Sequence, residues 1–490
     1  MLTLDVADVP RDTDGRVDLD GCAAALHPVD LLESGAGDGT SYLVPHGAWR
    51  LVDDGRRTRL AAPDRAAIDL GPDPFSAVDR VADALGATPE APVDPALPAL
   101  TGGLVGLLSY DLARRVERLG TTAMADRRGP ALSLRVVEVV VAVPPARDRA
   151  LLVARPLPAG LAGGDGEARS RAQLASVHER LAAAATRPRR PQPPLPVDPQ
   201  PAWTSLPRPE HLAAIDRVLT HIGRGDVFQV NLAQRLSAHW SGDVHALYRA
   251  LRAASPAAFG ATLPDTGVAS ISPETFLAVD ARQVTTRPVK GTRPRAADAA
   301  LDAALADDLA TAVKDRAENV MVVDMERNDL GRVCVPGTVT VPELTRVEAH
   351  PTVWHLVSTV TGHLRPGVGY GELLRASFPC GSITGAPKVA AMRLIEQLEP
   401  VRRGPYCGAI GFLSPGRARL SVAIRTAVLG PDGIVDHGAG GGIVADSDPD
   451  AEHAETLDKA AAFLTAVRAT RVVATPPRPR AGSHRPAVRR

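Results

Sequence analysis

This chain of 490 residues reads as an α+β protein. Helix-like and strand-like stretches both run through it, without the strict strand–helix–strand alternation of a parallel α/β fold. The strand-like runs are short, apolar and closed by turn residues. A hydrophobic content of 44% with 23% charged residues suits an ordinary globular chain. The length allows two to four domains, or one large core with insertions.

Taken in order, residues 1–185 alternate apolar runs with turns. Val136 to Val143 reads as one buried strand closed by Pro144. Gly102, Gly103 and Gly106, ahead of Tyr110 and Asp111, predict closely packed backbone. Residues 167–185 read as a helix ending near Thr186. The proline-dense stretch that follows reads as a stiff connector without regular structure. It divides the chain into a region 1–186, a linker 187–205, a region 206–472 and a disordered Pro/Arg-rich tail 473–490. In the second half, helices are expected over Glu210–Gly223, Ala303–Met325 and Pro387–Leu398. Strands are expected over Asp226–Ser237 and Val284–Pro288.

The formal net charge is zero, which argues against a nucleic-acid partner. No run of about 18 apolar residues occurs, so no membrane span is expected. The acidic start Met1–Asp8 lacks the order of a secretion signal. Cys22, Cys334, Cys380 and Cys407 form no Cys-x-x-Cys pair and read as reduced thiols of a cytoplasmic protein. Of 56 basic residues only Lys290, Lys314, Lys388 and Lys459 are lysines. Arginine is never deprotonated in proteins, so a lysine kept against such a bias points to a need for an amine.

Lys290 stands before Gly291-Thr292 at the end of a strand, where a glycine lets a ligand approach. Desolvated there, its amine can act as a nucleophile. On position alone, a surface lysine in a basic turn is the better reading. Glu274, in Ser272-Pro273-Glu274, is a general-acid candidate in a partly apolar loop. Lys314 and Glu318 are i,i+4 on one helix, which fits an ion pair. Glu318-Asn319 also runs into an apolar stretch, where a magnesium ion would explain the acid. Gly438 to Gly442 reads as a glycine run opening a helix, an anion site through its N–H groups. That helix carries Glu452, Glu455 and Lys459 on one face. Gly381, Ser382, Thr384 and Gly385 precede the helix at Lys388, where capping is expected.

These segments together resemble the chorismate-utilising enzymes, which include anthranilate, aminodeoxychorismate, isochorismate and salicylate synthases. The likeness runs over nearly all of residues 205–470 and takes in Gly102–Asp111 and Leu31–Ser34. It implies a large α/β sandwich that binds magnesium and chorismate in a cleft. It makes Glu318 and Glu455 the Mg²⁺ carboxylates, with Glu452 a ligand through water. It makes Tyr406, Arg425, Lys459 and the backbone of Gly440 and Gly442 the holders of the substrate carboxylates, with Ser382 and His355 on the substrate side. It makes Glu274 the acid that protonates the departing 4-hydroxyl.

Two positions separate the reactions of the family. Where isochorismate and salicylate synthases have a water-activating lysine, this chain has Gln229, which cannot act as a base. Anthranilate synthases resemble Pro-Ile-Ala-Gly-Thr where this chain reads Pro288-Val289-Lys290-Gly291-Thr292. The lysine form resembles aminodeoxychorismate synthase, with amination at C4 through a Lys290 adduct. Amination at C2 with loss of pyruvate is the alternative. The likeness also implies ammonia from a glutamine amidotransferase on a separate chain, since no cysteine lies in a Gly-x-Cys-x-Gly elbow. Leu31-Leu32-Glu33-Ser34 is closer to the tryptophan-feedback motif of anthranilate synthases, and a structural role is expected for it. Cys380 replaces the usual glycine.

Overall fold

In the computed structural model, residues 1–34, 39–162, 164–187 and 197–474 are described. Two large sheets dominate them, one of thirteen strands and one of twelve. The first runs from Leu2–Val6 through Val139–Val143, Ser41–Pro45, Val29–Ser34 and Phe259–Leu263 to Ile434–Ile443, Gln229–His239 and Ala469–Val473. The second runs from Val289–Pro294 through Val353–His363, Thr275–Asp280, Arg417–Val422 and Ala409–Ser414 to Gly103–Leu108, Leu132–Val137 and Arg65–Gly71. Both draw strands from either side of residues 188–196. The α+β class is as expected.

Alternation along the strands builds the layers, because successive side chains leave opposite faces of a strand. Leu43 and Leu104 pack into outer clusters, while their neighbours Val44 and Val105 meet in a shared cluster with Leu107, Val140 and Phe412. Glycines allow close approach where expected. A Cβ on Gly103 would lie 2.1 Å from Leu413 O, and one on Gly106 2.1 Å from Ser133 O.

Val136 to Val143 is not one strand. Leu132–Val137 belongs to the second sheet and Val139–Val143 to the first. The chain changes sheet at Glu138, whose buried carboxylate accepts two hydrogen bonds from Arg169, at 2.9 and 3.1 Å. Two further crossings lie side by side. One joins Val268–Ser272 to Thr275–Asp280 through Pro273 and Glu274; the other joins Arg417–Val422 to Thr426–Leu429 through Arg425. They are tied together: Ile271 N donates to Arg425 O (3.1 Å), Val422 N to Glu274 O (3.0 Å) and Ser272 Oγ to Val422 O (2.6 Å).

Other expectations need correction. The long helix over Ala303–Met325 is two, Ala299–Thr311 and Val313–Gly331, because Ala312 leaves the helical range at ψ 101°. The glycine run does not open a helix but lies in the strand Ile434–Ile443, paired residue by residue with Gln229–His239. Ser382 and Thr384 do not cap the helix Lys388–Leu398, whose N-cap is Pro387; Thr384 Oγ1 instead donates to Cys380 O and Gly381 O. The stretch expected to link the halves is strand at Gln200–Thr204, which pairs with Gln229–His239 and with Ala469–Val473. Residues 188–196 of that linker and 475–490 of the tail lie outside the described residues. No described helix is long and apolar enough to cross a membrane.

Candidate active site

The adjacent crossings open onto a cavity of about 800 Å³. Where the backbone leaves a sheet, its side chains need not join the apolar layers. Glu274 and Arg425 therefore both reach this cavity. Glu274 is buried with Oε1 unpartnered among the described residues. Burial pushes its carboxyl up to about 7, against the pull of Ser382 and Lys290. Burial lowers the Arg425 guanidinium, which has no carboxylate partner among the described residues. An unpaired, largely buried cation is costly unless an anion meets it.

Lys290 lies in the strand Val289–Pro294, after Pro288 has interrupted the run from Gln283–Arg287. Gly291-Thr292 continues that strand and is not a turn. The space over Gly291 is taken by Leu309 and Asp315, 2.9 and 3.0 Å from the place of a Cβ, so the glycine admits neighbouring side chains rather than a ligand. The Lys290 side chain is 13% exposed, with Nζ 3.9 Å from Glu318 Oε2. Glu318 also accepts from Gln229 Nε2 at 2.8 Å. Burial raises its carboxyl; Lys290 and Lys314 act in the opposite sense.

Facing this wall is the helix Pro449–Lys459. Its carboxylates and amine fan over Gly441: a Cβ there would lie 3.0 Å from Glu452 Oε2, 3.8 Å from Glu455 Oε1 and 3.9 Å from Lys459 Nζ. Lys459 bonds Glu455 (2.6 Å) and Gly440 O (3.1 Å), and Glu452 accepts from Ser447 Oγ (2.6 Å) and Lys314 (3.4 Å). Burial raises Glu455, but Lys459, Lys314 and Lys290 hold it below the ordinary carboxylate range. Lys314 thus reaches across to Glu452 rather than pairing with Glu318 along its own helix.

The glycine strand is required by what lies against it. A Cβ on Gly438 would fall 2.2 Å from the Tyr406 ring, on Gly440 2.3 Å from Leu232 O, and on Gly442 2.5 Å from Gln229 Nε2. Tyr406 lines the cavity with Ser382 and His355. His355 Nδ1 lies 3.0 Å from Thr292 Oγ1, and burial, with His350 and Arg425 nearby, lowers the imidazole to about 4.

Every expected site residue except Gln229 therefore lines the one cavity; Gln229 is fully buried behind it, on Glu318. Three of the four lysines reach it too. The fourth, Lys388, bonds Asp329, Ser377 O and Pro379 O and so holds the loop that carries Ser382. Sequence reasoning missed Arg403 and Glu326. Arg403 lines the cavity and pairs with Glu399, and Glu326 is a buried acid behind it. An acid inside the apolar run Val322-Val323-Asp324-Met325-Glu326 was the available signal for the latter. Glu33 binds Arg147 (2.8 Å), Arg252 (2.5 Å) and Tyr248 OH (2.7 Å); the Ser34 side chain lies outside the described residues.

Among the described residues no three His, Cys, Asp or Glu side chains converge to hold a metal alone. Glu318 and Glu455 with Glu452 do fit magnesium, which takes one or two carboxylates and fills its octahedron with water and substrate oxygens.

Residues 48–465 match the family described as chorismate binding enzyme. The chain is 39% identical over 439 residues to aminodeoxychorismate synthase component 1 of Salmonella typhimurium, covering 89% of each. It is 42% identical over 384 residues to anthranilate synthase component 1 of Streptomyces coelicolor, covering 77% of this chain and 75% of that one. The solved structure of anthranilate synthase component I from Streptococcus pneumoniae matches with a TM-score of 0.74 at 29% identity, over 87% of this chain and 92% of that one.

Proposed function

Because this chain belongs to the chorismate-binding enzyme family, its substrate is chorismate, and we propose that it aminates the ring at C4 to give 4-amino-4-deoxychorismate. The observation that carries this reading is the Lys290 amine, which enters the cavity beside Glu274 and 3.9 Å from Glu318. Overall identity does not separate the C4 from the C2 reaction, since relatives named for each match at 39% and 42%. Position 290 supports C4 amination, because a lysine there carries the amine that an adduct needs and an alanine does not.

Glu318, Glu455 and Glu452 would hold Mg²⁺, which would supply positive charge to polarise the substrate ring. Arg425, Lys459, Tyr406, Ser382, His355 and the backbone of Gly440 and Gly442 grip the substrate carboxylates. The Lys290 amine attacks C2, the ring double bonds shift, and Glu274 gives its proton to the 4-hydroxyl, which leaves as water. Ammonia then attacks C4, the electrons shift back, and the C2–N bond breaks to release Lys290. Glu274 recovers a proton from the new ammonium group. Gln229 cannot activate water, which leaves ammonia as the nucleophile. The ammonia comes from a glutamine amidotransferase subunit on another chain.

The second reading, anthranilate synthase, is favoured by the 42% identity to such a relative. One assay separates the two. The protein is incubated with chorismate, magnesium and an ammonium salt at alkaline pH, and an aminodeoxychorismate lyase is then added. p-Aminobenzoate formed after the lyase supports C4 amination; fluorescent anthranilate formed before it sinks that reading.

A further inference from the structure

Behind Glu274 the structure holds a second buried acid that the chemistry above does not use. Glu326 lies near the C-terminal end of the helix Val313–Gly331, two turns beyond Glu318. It is 4% exposed, and its Oε2 accepts from Thr286 Oγ1 at 2.7 Å. Its Oε1 lies 3.4 Å from Cys380 Sγ. The same sulfur lies 3.2 Å from Ser382 Oγ, and Ser382 lines the cavity with Glu274 and pulls its carboxyl down against burial. All four side chains are buried.

We propose that Glu326, Cys380 and Ser382 form a proton relay that ends on Glu274, with Glu326 as the carboxyl that shares its proton. This deepens the reading of Glu274 as general acid and rests on it. The chain carries a proton at every link. Burial holds Cys380 well above the ordinary thiol range, so it stays S–H, and burial pushes Glu326 up to about 8. When Glu274 has given its proton to the departing hydroxyl, Ser382 O–H passes its proton to Glu274, Cys380 S–H passes its own to Ser382, and Glu326 O–H passes its own to Cys380. The negative charge is then shared between Glu274 and Glu326, which titrate as a coupled pair. The steps reverse when the incoming amine sheds its proton to Glu274, so the cycle needs no outside acid. Cys380 thereby has a role that a glycine could not fill, since glycine carries no proton.

The charged and titratable groups around the two carboxyls fix the expected pH behaviour. Glu326 faces Glu274 and Cys380 across the helix and Asp329 along it. Glu274 faces Lys290 and Lys459, with Cys407 nearby. An ionised Glu326 opposes ionisation of Glu274 and so keeps the acid protonated to higher pH.

The test reads kcat and KM for chorismate against pH, at fixed free ammonia and saturating magnesium. In Glu326→Gln, kcat should fall and its alkaline limb should move to lower pH; in Cys380→Ala, which keeps Glu326, kcat should fall with the limb in place; KM should hold in both. Cys380→Ser, which keeps a proton-bearing link, should restore the kcat lost in Cys380→Ala. An alkaline limb unmoved in Glu326→Gln, or a serine variant no better than the alanine one, overturns the relay. Product identity in the wild type tests the C4 assignment separately, because hydroxyl loss from C4 is common to both aminations. Anthranilate as product would remove that assignment and leave the relay to stand on the pH profiles.

Discussion

Gln229 donates its amide N–H to Glu318 Oε2 at 2.8 Å, from a fully buried position behind the cavity wall. The Gln229 side chain thereby fixes a carboxylate that lines the cavity. Gln229→Ala should therefore raise the magnesium concentration needed for half-maximal activity, by roughly 10-fold as for other supports of metal ligands. A magnesium titration checks this, and an unchanged midpoint would count against Glu318 as a ligand.

Lys290→Ala should lower C4 amination by on the order of 10³-fold or more. Lys290→Arg keeps a cation opposite Glu318 but cannot supply a free amine. It should fail as fully as the alanine variant. Retained activity in the arginine variant, measured as p-aminobenzoate after lyase, would refute the covalent role.

Glu274→Gln should cost about 10²- to 10⁴-fold in kcat, the usual range for losing a general acid. The wild-type group must be protonated to act, and burial places its carboxyl at about 7. Activity of the wild type is therefore lost as pH rises through that value, and the variant's residual rate should lack this limb.

Glu326→Gln carries a stability prediction of definite sign. Burial raises the folded-state carboxyl from 4.5 to about 8, so the folded protein binds more protons than the unfolded chain between those values. The stability Glu326 contributes is complete at low pH and is lost as pH rises toward about 8. Relative to wild type, the glutamine variant should gain on the order of 2–4 kcal/mol on going from pH 4.5 to pH 9. Denaturant unfolding at the two pH values reads it, and equal differences at both would mean that Glu326 does not ionise late.

Gly438→Ala places a methyl 2.2 Å from Cγ of the Tyr406 ring. Overpacking of this kind costs about 1–3 kcal/mol. The displaced ring should show as a raised KM for chorismate at near-normal melting temperature. Gly441→Ala, whose nearest neighbour would be Glu452 Oε2 at 3.0 Å, should be milder.

Much of the site was legible in the sequence because its residues stand in local patterns. Pro288–Thr292, Glu318-Asn319 and Glu452 to Lys459 each declared a chemistry through residue type and spacing. The scarcity of lysine singled out Lys290, Lys314 and Lys459, and all three reach one cavity. The mixed class was legible too, since hydrophobic periodicity is a property of each segment by itself.

What the sequence could not decide was long-range. Val136 to Val143 has one continuous apolar pattern, yet two sheets 
share it, because only pairing partners elsewhere in the chain choose the sheet. The glycine run has the composition of a phosphate loop, but ten paired residues of Gln229–His239 hold it as a strand. Gln229 and Glu318 lie 89 residues apart, and so does no motif that joins them. The sequence by itself determined which groups carry the chemistry. The tertiary structure alone decided that Glu274 and Arg425 sit together, because two chain crossings between sheets are tied by backbone hydrogen bonds that no local pattern encodes.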